Sequence, residues 1–364
     1  GPRVAFIGID GVPYPLIEDN PEVFENIRTI EAAGAGGAID SIVPPESSAC
    51  WPALTTGTNP GKTGVYGFQD REEGSYETYI PMNHHVHGTR VWDRVEAADR
   101  DATVMNVPVT YPPQQDLQRM VSGFLSGSLG ESVAHPPDVY EYLSSIDYRV
   151  DADVGLGHED TEAFLADANE TLDARFEAFK HYLEADDWDL FFGVFMTTDR
   201  VNHFLYNDYE DGGEHREAFL DFYRKLDQYV GRLRDALADD VTTVVASDHG
   251  FTALEYEVHC NEWLEDRGWL TYTRDDHADL HDIADDARAS SVAPGRFYLN
   301  LADREPRGSV PDEEYETVRA DLRDAVESLT DPEGNPVVDR VVPSEEAFQG
   351  PHDDLAPDLV AVPN

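Results

Sequence analysis

The sequence predicts an α/β fold, with a mostly parallel central sheet, helices on both of its faces and an inserted cap region. Short apolar runs alternate with amphipathic helical stretches along the chain. The runs are mainly apolar and do not alternate strictly with polar residues, which is typical of parallel strands buried on both faces. One long segment breaks this alternation with irregular, acidic sequence punctuated by Pro and Gly. Strands that alternate with helices indicate a parallel sheet between two helical layers.

Five apolar runs are the predicted strands, and the first of them, VAFIGI, stops abruptly at Asp10-Gly11. In folds of this class, ligands bind just outside the carboxyl ends of the strands. The residues that follow each run are therefore the first place to look for function. The five runs are Val4–Ile9, Ala102–Val107, Leu190–Met196, Val241–Ala246 and Leu359–Val362.

Helical stretches separate these runs, and the longer ones space apolar residues at i, i+3, i+4 and i+7 on a charged background. From residue 252 to 345 the sequence becomes irregular and holds one further helical stretch, Asp312–Leu329. Because no internal repeat or low-complexity linker is present, we expect a single domain over 1–364 with an embedded cap region at 252–345. The other helical stretches are Val23–Ala33, Arg90–Ala98, Thr161–Glu184 and Glu214–Leu237.

The charge is the unusual property of this composition, because 74 Asp and Glu against 26 Lys and Arg give a formal net charge of −48. Acidic residues recur in every segment, and Lys62, Lys180 and Lys225 are the only lysines. This pattern is typical of adaptation to high salt, since molar salt shortens the Debye length to about 3 Å and screens self-repulsion. If the acidic residues served only to keep the protein soluble, their even distribution along the chain would be explained less well.

The same composition narrows the classes of function. It leaves no basic face for nucleic acid, and an anionic lipid surface would repel the chain. Two cysteines, Cys50 and Cys260, imply no disulfide framework and a reducing or redox-indifferent compartment. No apolar run reaches transmembrane length and no signal peptide is recognisable, so we expect a cytoplasmic protein that acts on a small molecule. The sequence does not predict an oligomeric state.

Carboxylates and imidazoles, which suit divalent cations such as zinc, follow three of the apolar runs. Asp10 follows the first run, and Asp248 and His249 follow the fourth. Asp199 and His203 follow the third at i and i+4, which would place both on one face of a helix. Each has an ordinary structural alternative, such as an Asx turn at Asp10. Their shared position at strand ends predicts a metal site.

The segment VPPESSACWPALTTGTNPGKTG offers three possible nucleophiles, Ser47, Ser48 and Cys50. A hydroxyl at the start of a helix that faces two divalent cations has a lowered pKa, and the N–H groups of the first turn can bind phosphoryl oxygens. The alternative is a serine that only caps the helix. His352, in GPHDDLAPDLV, is a loop histidine whose role depends on the rest of the set.

In their order, these segments resemble the type I phosphodiesterase/nucleotide pyrophosphatase family of the alkaline phosphatase superfamily, in an acidic, haloarchaeal-like form. The resemblance covers most of the chain, through FIGIDG, the serine segment, NVPVTYPP, TTDRVNH, SDHG and GPHDDLAPDLV. It implies an alkaline phosphatase-like fold, a nucleophile at Ser47, ten residues before Gly57, and two divalent metal ions, zinc or manganese. The implied ligands are Asp199, His203 and His352 for one metal, and Asp10, Asp248 and His249, with Ser47, for the other.

Two departures from the family pattern concern the substrate. Nucleotide pyrophosphatases typically carry Thr-Phe-Pro-Asn at the nucleophile, where this chain reads Ser47-Ser48-Ala49-Cys50. Their phosphate-binding asparagine falls at Phe68. Nucleotide specificity therefore does not follow from the resemblance. Other residues that could line a pocket, or be ordinary loop and core residues, are Tyr66, His84, His85, His87 and Asn106.

Together, the residues and the resemblance predict a two-metal phosphoric ester hydrolase. Ser47 would attack phosphorus and form a phospho-enzyme intermediate, which water then hydrolyses. One alternative is a phosphoryl transferase or phosphomutase of the same superfamily, for which a closed cap region lined by arginines would be diagnostic; Arg274, Arg288 and Arg296 are available. The other alternative is a non-catalytic metal-binding protein. The complete set of candidate metal ligands, together with an intact Ser47, argues against it.

Overall fold

The computed structural model describes residues 1–277 and 279–364 and has the predicted α/β architecture. Its strands form a six-stranded sheet, a four-stranded sheet and a two-stranded hairpin. In chain order the strands are β1 Val4–Ile9, β2 Asp70–Arg71, β3 Thr78–Tyr79, β4 Ala102–Val107, β5 Arg119–Ser122, β6 Ala134–His135, β7 Leu190–Phe195, β8 Thr242–Ala246, β9 Ala289–Val292, β10 Arg296–Leu299, β11 Val338–Pro343 and β12 Leu359–Pro363.

In chain order the α-helices are α1 Tyr14–Asp19, α2 Glu25–Ala33, α3 Ser47–Thr56, α4 Pro60–Thr63, α5 Val91–Glu96, α6 Pro137–Ser145, α7 Val154–Glu159, α8 Thr161–Glu184, α9 Thr197–Asp211, α10 Arg216–Asp235, α11 Cys260–Asp266, α12 Tyr315–Glu327 and α13 Ser344–Ala347. The five predicted helical stretches correspond to α2, α5, α8, α10 and α12, with ends that agree to within three residues, and the other α-helices of the described residues lie outside those stretches. The stretch predicted at Asp312–Leu329 begins with a 3-10 turn at Asp312–Glu314 before the α-helix starts.

The six-stranded sheet has the order β6-β5-β4-β7-β1-β8, and all its pairs are parallel except β5 with β6. β1 lies between β7 and β8, with Ile9 opposite Phe195 and Gly8 opposite Ala246. The carboxyl ends of these three strands therefore meet at one edge of the sheet. This is the arrangement that the sequence predicts for a shared site.

Three features of the sheets differ from the sequence prediction. β8, whose apolar run indicates a fully buried strand, is the edge of its sheet and is partly exposed, because only β1 pairs with it. β12 is a strand, as predicted, but it belongs to the four-stranded antiparallel sheet. β5 and β6 are not predicted, since strands of four and two residues are too short to give a periodicity of their own.

Alternate residues of the strands build a core on each face of the six-stranded sheet. On one face Phe191 and Phe195 of β7 pack with the apolar sides of α8, α9 and α10. On the other face Phe192 packs with Trp51 of α3 and Trp92 of α5. Burial of each such side chain contributes about 1.5–3 kcal/mol, so both helical layers are held firmly to the strands that carry the site.

The four-stranded sheet, in the order β11-β12-β10-β9, is antiparallel and packs with α11 and α12 around a separate core. Most of these elements come from the predicted cap region, 252–345, but β12 completes the sheet from beyond it. A buried ion pair of 2.8 Å between Arg296 and Asp70 ties this sheet to the chain after α4. The assignment of one domain with an embedded cap region stays a prediction.

None of the helices formed by the described residues is both long enough and apolar enough to cross a membrane. The longest of them, α8 and α10, are amphipathic and interleave buried apolar residues with charged ones. Their length therefore serves packing against the sheet and against each other.

The amino end of α2 is capped by a carboxylate from another helix. Asp227 of α10 is 2% exposed, and it accepts hydrogen bonds from the backbone N–H of Asn26 at 2.9 Å and of Ile27 at 2.8 Å. Phe24, which precedes the helix, offers no side-chain cap. The first-turn N–H groups of α2 are thus satisfied only while α10 is docked, so the contact links helix formation to tertiary packing.

We expect Asp227→Ala to lower the free energy of unfolding by about 2–4 kcal/mol, because it leaves buried N–H groups without an acceptor. Asp221→Ala is the matched control, since Asp221 lies on the same helix with its side chain 71% exposed. That change should cost less than about 0.5 kcal/mol. Urea denaturation at constant KCl measures both, and equal midpoints for the two variants would contradict the capping role.

Candidate functional site

Three carboxylates meet where β7, β1 and β8 end side by side. Asp10 directly follows β1, Asp199 lies in the first turn of α9 after β7, and Asp248 follows β8. Their residues are 0%, 2% and 7% exposed, respectively. Parallel strands present their carboxyl ends at one edge, so residues far apart in sequence become neighbours there.

His249 is the centre of this cluster. Its Nε2 atom lies 3.4 Å from Asp10 Oδ1, 3.6 Å from Asp248 Oδ2 and 3.8 Å from Asp199 Oδ1. Its Nδ1 atom is 2.7 Å from the carbonyl oxygen of Gly250, so Nδ1 donates there and Nε2 faces the carboxylates. Ligand atoms of Asp10, Asp199 and His249 all lie within 4.8 Å of one another, which makes them a possible metal-binding group.

Of the three possible nucleophiles, Ser47 is the one that contacts the cluster. Its hydroxyl donates to Asp10 Oδ1 at 3.0 Å and lies 3.1 Å from His249 Nε2. The helix cap is supplied instead by Glu46, whose side chain accepts from Ser48 N at 3.3 Å. The Ser48 hydroxyl is buried without a partner, and burial raises the pKa of the Cys50 thiol well above its usual range, which opposes thiolate formation.

Two glycines of FIGIDG make this close approach possible. A Cβ at Gly8 would lie 2.6 Å from Trp51, whose indole N–H donates to Asp10 Oδ2 at 2.6 Å. Gly11 has φ +69°, and a Cβ there would lie 3.0 Å from Asp199 Oδ1. The N–H of Gly11 donates to Asp248 Oδ1 at 3.1 Å. Sequence reasoning misses Trp51, although its i+4 spacing from the serine places both on one helix face.

The start of α9 carries the second group of site residues. Asp199 Oδ2 lies 3.4 Å from His203 Nε2 and 3.7 Å from the Arg200 guanidinium, which binds Asp151 at 2.7 Å. Burial raises the pKa of Asp199, but the hydrogen bond and charge of His203, together with Arg200, hold it below its usual value. The His203 side chain is 55% exposed, so this part of the site opens to solvent.

Two polar residues of TTDRVNH that the sequence does not single out hold α9 against the loop after β1. Thr198 donates to the carbonyl oxygen of Asp10 at 2.5 Å, and Asn202 donates to that of Gly11 at 2.9 Å. Their spacing matches one helix face, which is the only signal that could have identified them. They fix the position of Asp199 relative to Asp10.

His352 is set apart from the other six predicted site residues. Its imidazole stacks on that of His87, with ring centroids 3.9 Å apart and an angle of 19° between the planes. Within residues 1–277 and 279–364, no hydrogen bond or ion pair joins the His352 ring to the other six. The contacts described above therefore join six of the predicted residues into one cluster, and His352 instead contacts His87. The six are Asp10, Ser47, Asp199, His203, Asp248 and His249.

The electrostatics of the cluster match a cation site. Burial lowers the pKa of His249, but Asp248, the hydrogen bond with Asp10, and Asp199 raise it to about 11. Burial and the nearby Asp10 raise the pKa of Asp248 well above its usual range, and its Oδ2 atom is buried without a hydrogen bond. A buried carboxyl group with a raised pKa and an oxygen that lacks a hydrogen bond, beside a histidine that carries a proton, fits a position where a divalent cation would supply the missing positive charge.

Of the other residues that could line a pocket, two are held by hydrogen bonds to the backbone and one is partly exposed. Asn106 is fully buried and donates to the carbonyl oxygen of Val194 at 3.1 Å, and the Tyr66 hydroxyl donates to the carbonyl oxygen of His352 at 2.6 Å. Both therefore serve the scaffold. Phe68 is 39% exposed, so its apolar ring is accessible to solvent.

Comparison with known proteins gives a family and a fold. Residues 4–364 match the family model of type I phosphodiesterase/nucleotide pyrophosphatase. A search of curated proteins finds no match.

Solved structures with similar folds include a phosphonoacetate hydrolase from Sinorhizobium meliloti 1021 in complex with phosphonoacetate. The two chains have a TM-score of 0.62 and 15% sequence identity, and the alignment covers 100% of this chain and 81% of the hydrolase. Murine ectonucleotide pyrophosphatase/phosphodiesterase 5 is similar with a TM-score of 0.54 and 14% identity, covering 100% and 79%.

These structural likenesses support the alkaline phosphatase-like fold, and the family match carries the class of chemistry. The family match spans nearly the whole chain, including all seven predicted site residues. The chain therefore belongs to the type I phosphodiesterase/nucleotide pyrophosphatase family of the alkaline phosphatase superfamily, whose members are phosphoryl-ester hydrolases.

Proposed function

We propose that this protein is a two-metal hydrolase of small phosphoric esters, of the phosphodiesterase or phosphatase type, with Ser47 as the nucleophile. The observation that carries the proposal is the Ser47 hydroxyl, held 3.0 Å from Asp10 and 3.1 Å from His249. Asp10, Asp248 and His249, with Ser47, would hold one metal ion, and Asp199, His203 and His352 the other. Zinc suits this set of carboxylates and imidazoles, and manganese is the alternative.

The metal ions would supply Lewis acidity to the phosphoryl group and lower the pKa of the serine hydroxyl. Ser47 Oγ then attacks phosphorus in line and gives its proton to solvent water. The bond from phosphorus to the departing ester oxygen breaks, and that oxygen takes up a proton from solvent and leaves as the alcohol. In the second step water attacks phosphorus, the bond to Oγ breaks, and a proton returns to the serine. Ser47 opens α3, a helix of ten residues, so the first-turn N–H groups and the helix dipole favour the negative charge of the phosphoryl oxygens.

The arginines of the cap region support hydrolysis over phosphoryl transfer. A closed, arginine-lined cap region is diagnostic of the transferase alternative, and the three arginines that the sequence analysis names for it are engaged in other contacts. Arg296 is fully buried in its ion pair with Asp70, and Arg288 stacks 4.0 Å over the ring of Trp269. Arg274 pairs with Asp282 at 3.2 Å. The acidic interior of the cluster and its paired Ser47 likewise argue for catalysis over passive metal binding.

We expect Ser47→Ala to reduce phosphoester hydrolysis by at least about 10³-fold, since it removes the nucleophile. Ser48→Ala is the matched control, because its hydroxyl is buried beside the site without a partner. That variant should keep activity within about tenfold of the wild type. The assay compares p-nitrophenyl phosphate, bis-p-nitrophenyl phosphate and a nucleotide p-nitrophenyl ester with added zinc or manganese in molar KCl.

The pattern across these substrates separates the alternatives. Diester cleavage lost in Ser47→Ala but kept in Ser48→Ala agrees with a phosphodiesterase, and a preference for the monoester indicates a phosphatase. Turnover that needs an added alcohol as acceptor indicates a transferase. If no substrate turns over although zinc binds, the hydrolase proposal is wrong.

We also propose that the protein is adapted to high salt, on the basis of its charge of −48. We expect the melting temperature to rise by at least about 10 °C between 0.2 and 3 M KCl, as screening removes self-repulsion. Sucrose at equal osmolality is the control, since it does not screen charge. Differential scanning calorimetry measures both, and a KCl effect no larger than that of sucrose contradicts the proposal.

Metal binding should release protons from the cluster. With its pKa raised to about 11, His249 carries a proton at neutral pH when no metal is bound, and that proton must leave before Nε2 can coordinate. Metal affinity should therefore fall as pH falls, by about tenfold per pH unit for each proton displaced. Calorimetry in buffers of different ionisation enthalpy counts the protons, and His249→Gln should release fewer. An affinity that stays constant from pH 6 to 9 rules this out.

A further inference from the structure

The backbone of His352 is held tightly against α4. Its N–H donates to the carbonyl oxygen of Gly61 at 2.9 Å, and its own carbonyl oxygen accepts from Tyr66 at 2.6 Å. A Cβ at Gly61 would lie 2.7 Å from the backbone nitrogen of Gln349, and one at Gly350 would lie 2.5 Å from the oxygen of Gly61. The loop that carries His352 therefore has little freedom to move, and what remains free is its ring.

The ring lacks the hydrogen bond that normally orients a metal-binding histidine. Such a histidine usually donates its second ring N–H to a neighbouring oxygen, which fixes the plane of the ring. His249 follows this rule through the carbonyl oxygen of Gly250, at 2.7 Å. Over the described parts of the chain, neither ring nitrogen of His352 makes a hydrogen bond. Its orientation must come from another contact.

That contact is the stack on His87, and the backbone positions both partners. The N–H of His87 donates to the carbonyl oxygen of Thr63 at 2.8 Å, and that of His352 to Gly61, so both loops attach to carbonyls of the same short helix, α4. These carbonyls are free to accept because they lie at the end of the helix. A Cβ at Gly64 would lie 3.0 Å from the His87 ring and 3.7 Å from the His352 ring.

We propose that His87 is a positioning residue, which sets the ring plane of His352 by stacking and so prepares it to bind metal. The inference rests on the proposed function, in which His352 is a metal ligand. His87 itself is exposed, and its ring makes no hydrogen bond among the described residues. The His87 ring therefore acts on His352 through the stacked face alone. The stack takes over the orienting task that a hydrogen bond performs for His249.

The first test needs no metal. Carbon-bound protons of the His352 ring, identified by their loss in His352→Ala, should shift when the neighbouring ring is removed in His87→Ala and stay close to wild type in His87→Phe, which keeps a stacking ring. His84→Ala is the matched control, because His84 lies in the same loop but its ring contacts that of His85, in a tilted arrangement with centroids 4.0 Å apart. Unchanged resonances in His87→Ala would overturn the stack.

The second test measures zinc affinity by competition with a chelator. His87→Ala should weaken binding by about 10-fold or more, as loss of a ligand-orienting contact typically does, and His87→Phe and His84→Ala should stay within about twofold of wild type. Equal melting temperatures for the two alanine variants would show that folding is intact. Wild-type affinity in His87→Ala, or a His87→Phe variant as weak as His87→Ala, overturns the positioning role.

His352→Ala separates this inference from the proposed function. If that variant binds zinc more weakly and His87→Ala does not, only the positioning role is wrong. If His352→Ala binds both metal equivalents with wild-type affinity, the ligand assignment is wrong and the positioning role falls with it.

Discussion

Three carboxylates on Asp10, Asp199 and Asp248 are buried together at one edge of the central sheet. Two unit charges 4 Å apart repel by about 4 kcal/mol at an effective dielectric constant of 20, so such a group persists only where donors and positive charges compensate it. The indole of Trp51, the N–H of Gly11 and the rings of two histidines do so here. Much of the surrounding structure can be understood as the means of bringing those groups close.

Close approach in this site depends on small residues as much as on polar ones. Gly8 leaves room for Trp51 beside β1, and Gly11 leaves room for Asp199 and His249 beside Asp10. A methyl group at Gly8 would overlap Trp51, and one at Gly11 would press on Asp199 and would strain a backbone with φ +69°. The conspicuous GIDG sequence is therefore a packing requirement before it is a chemical one, which explains why its aspartate can reach four different partners.

The central sheet and most of the site were predictable from sequence because both depend on local patterns. Mainly apolar runs mark the parallel strands β1, β7 and β8, and Asp10, Asp199 and Asp248 follow them within four residues. Trp51 and Arg200 were not predictable as partners, because their role depends on which helix packs beside which strand. The stack of His87 on His352 joins two loops that meet only in the folded chain, and β12 joins an antiparallel sheet that no local period indicates.

The place of β1 in its sheet has a consequence for how the chain is made. β1 precedes every other strand that the structure describes, yet its two hydrogen-bonding neighbours are β7 and β8, which include residues 190–195 and 242–246. During synthesis, one edge of this apolar strand stays unpaired until residues 190–195 have been made, and the other until residues 242–246 have been made. Contacts of such long sequence separation are slow to form, and an unpaired strand edge invites aggregation. The order of the strands along the chain therefore leaves one edge of β1 unprotected until β8 can dock beside it.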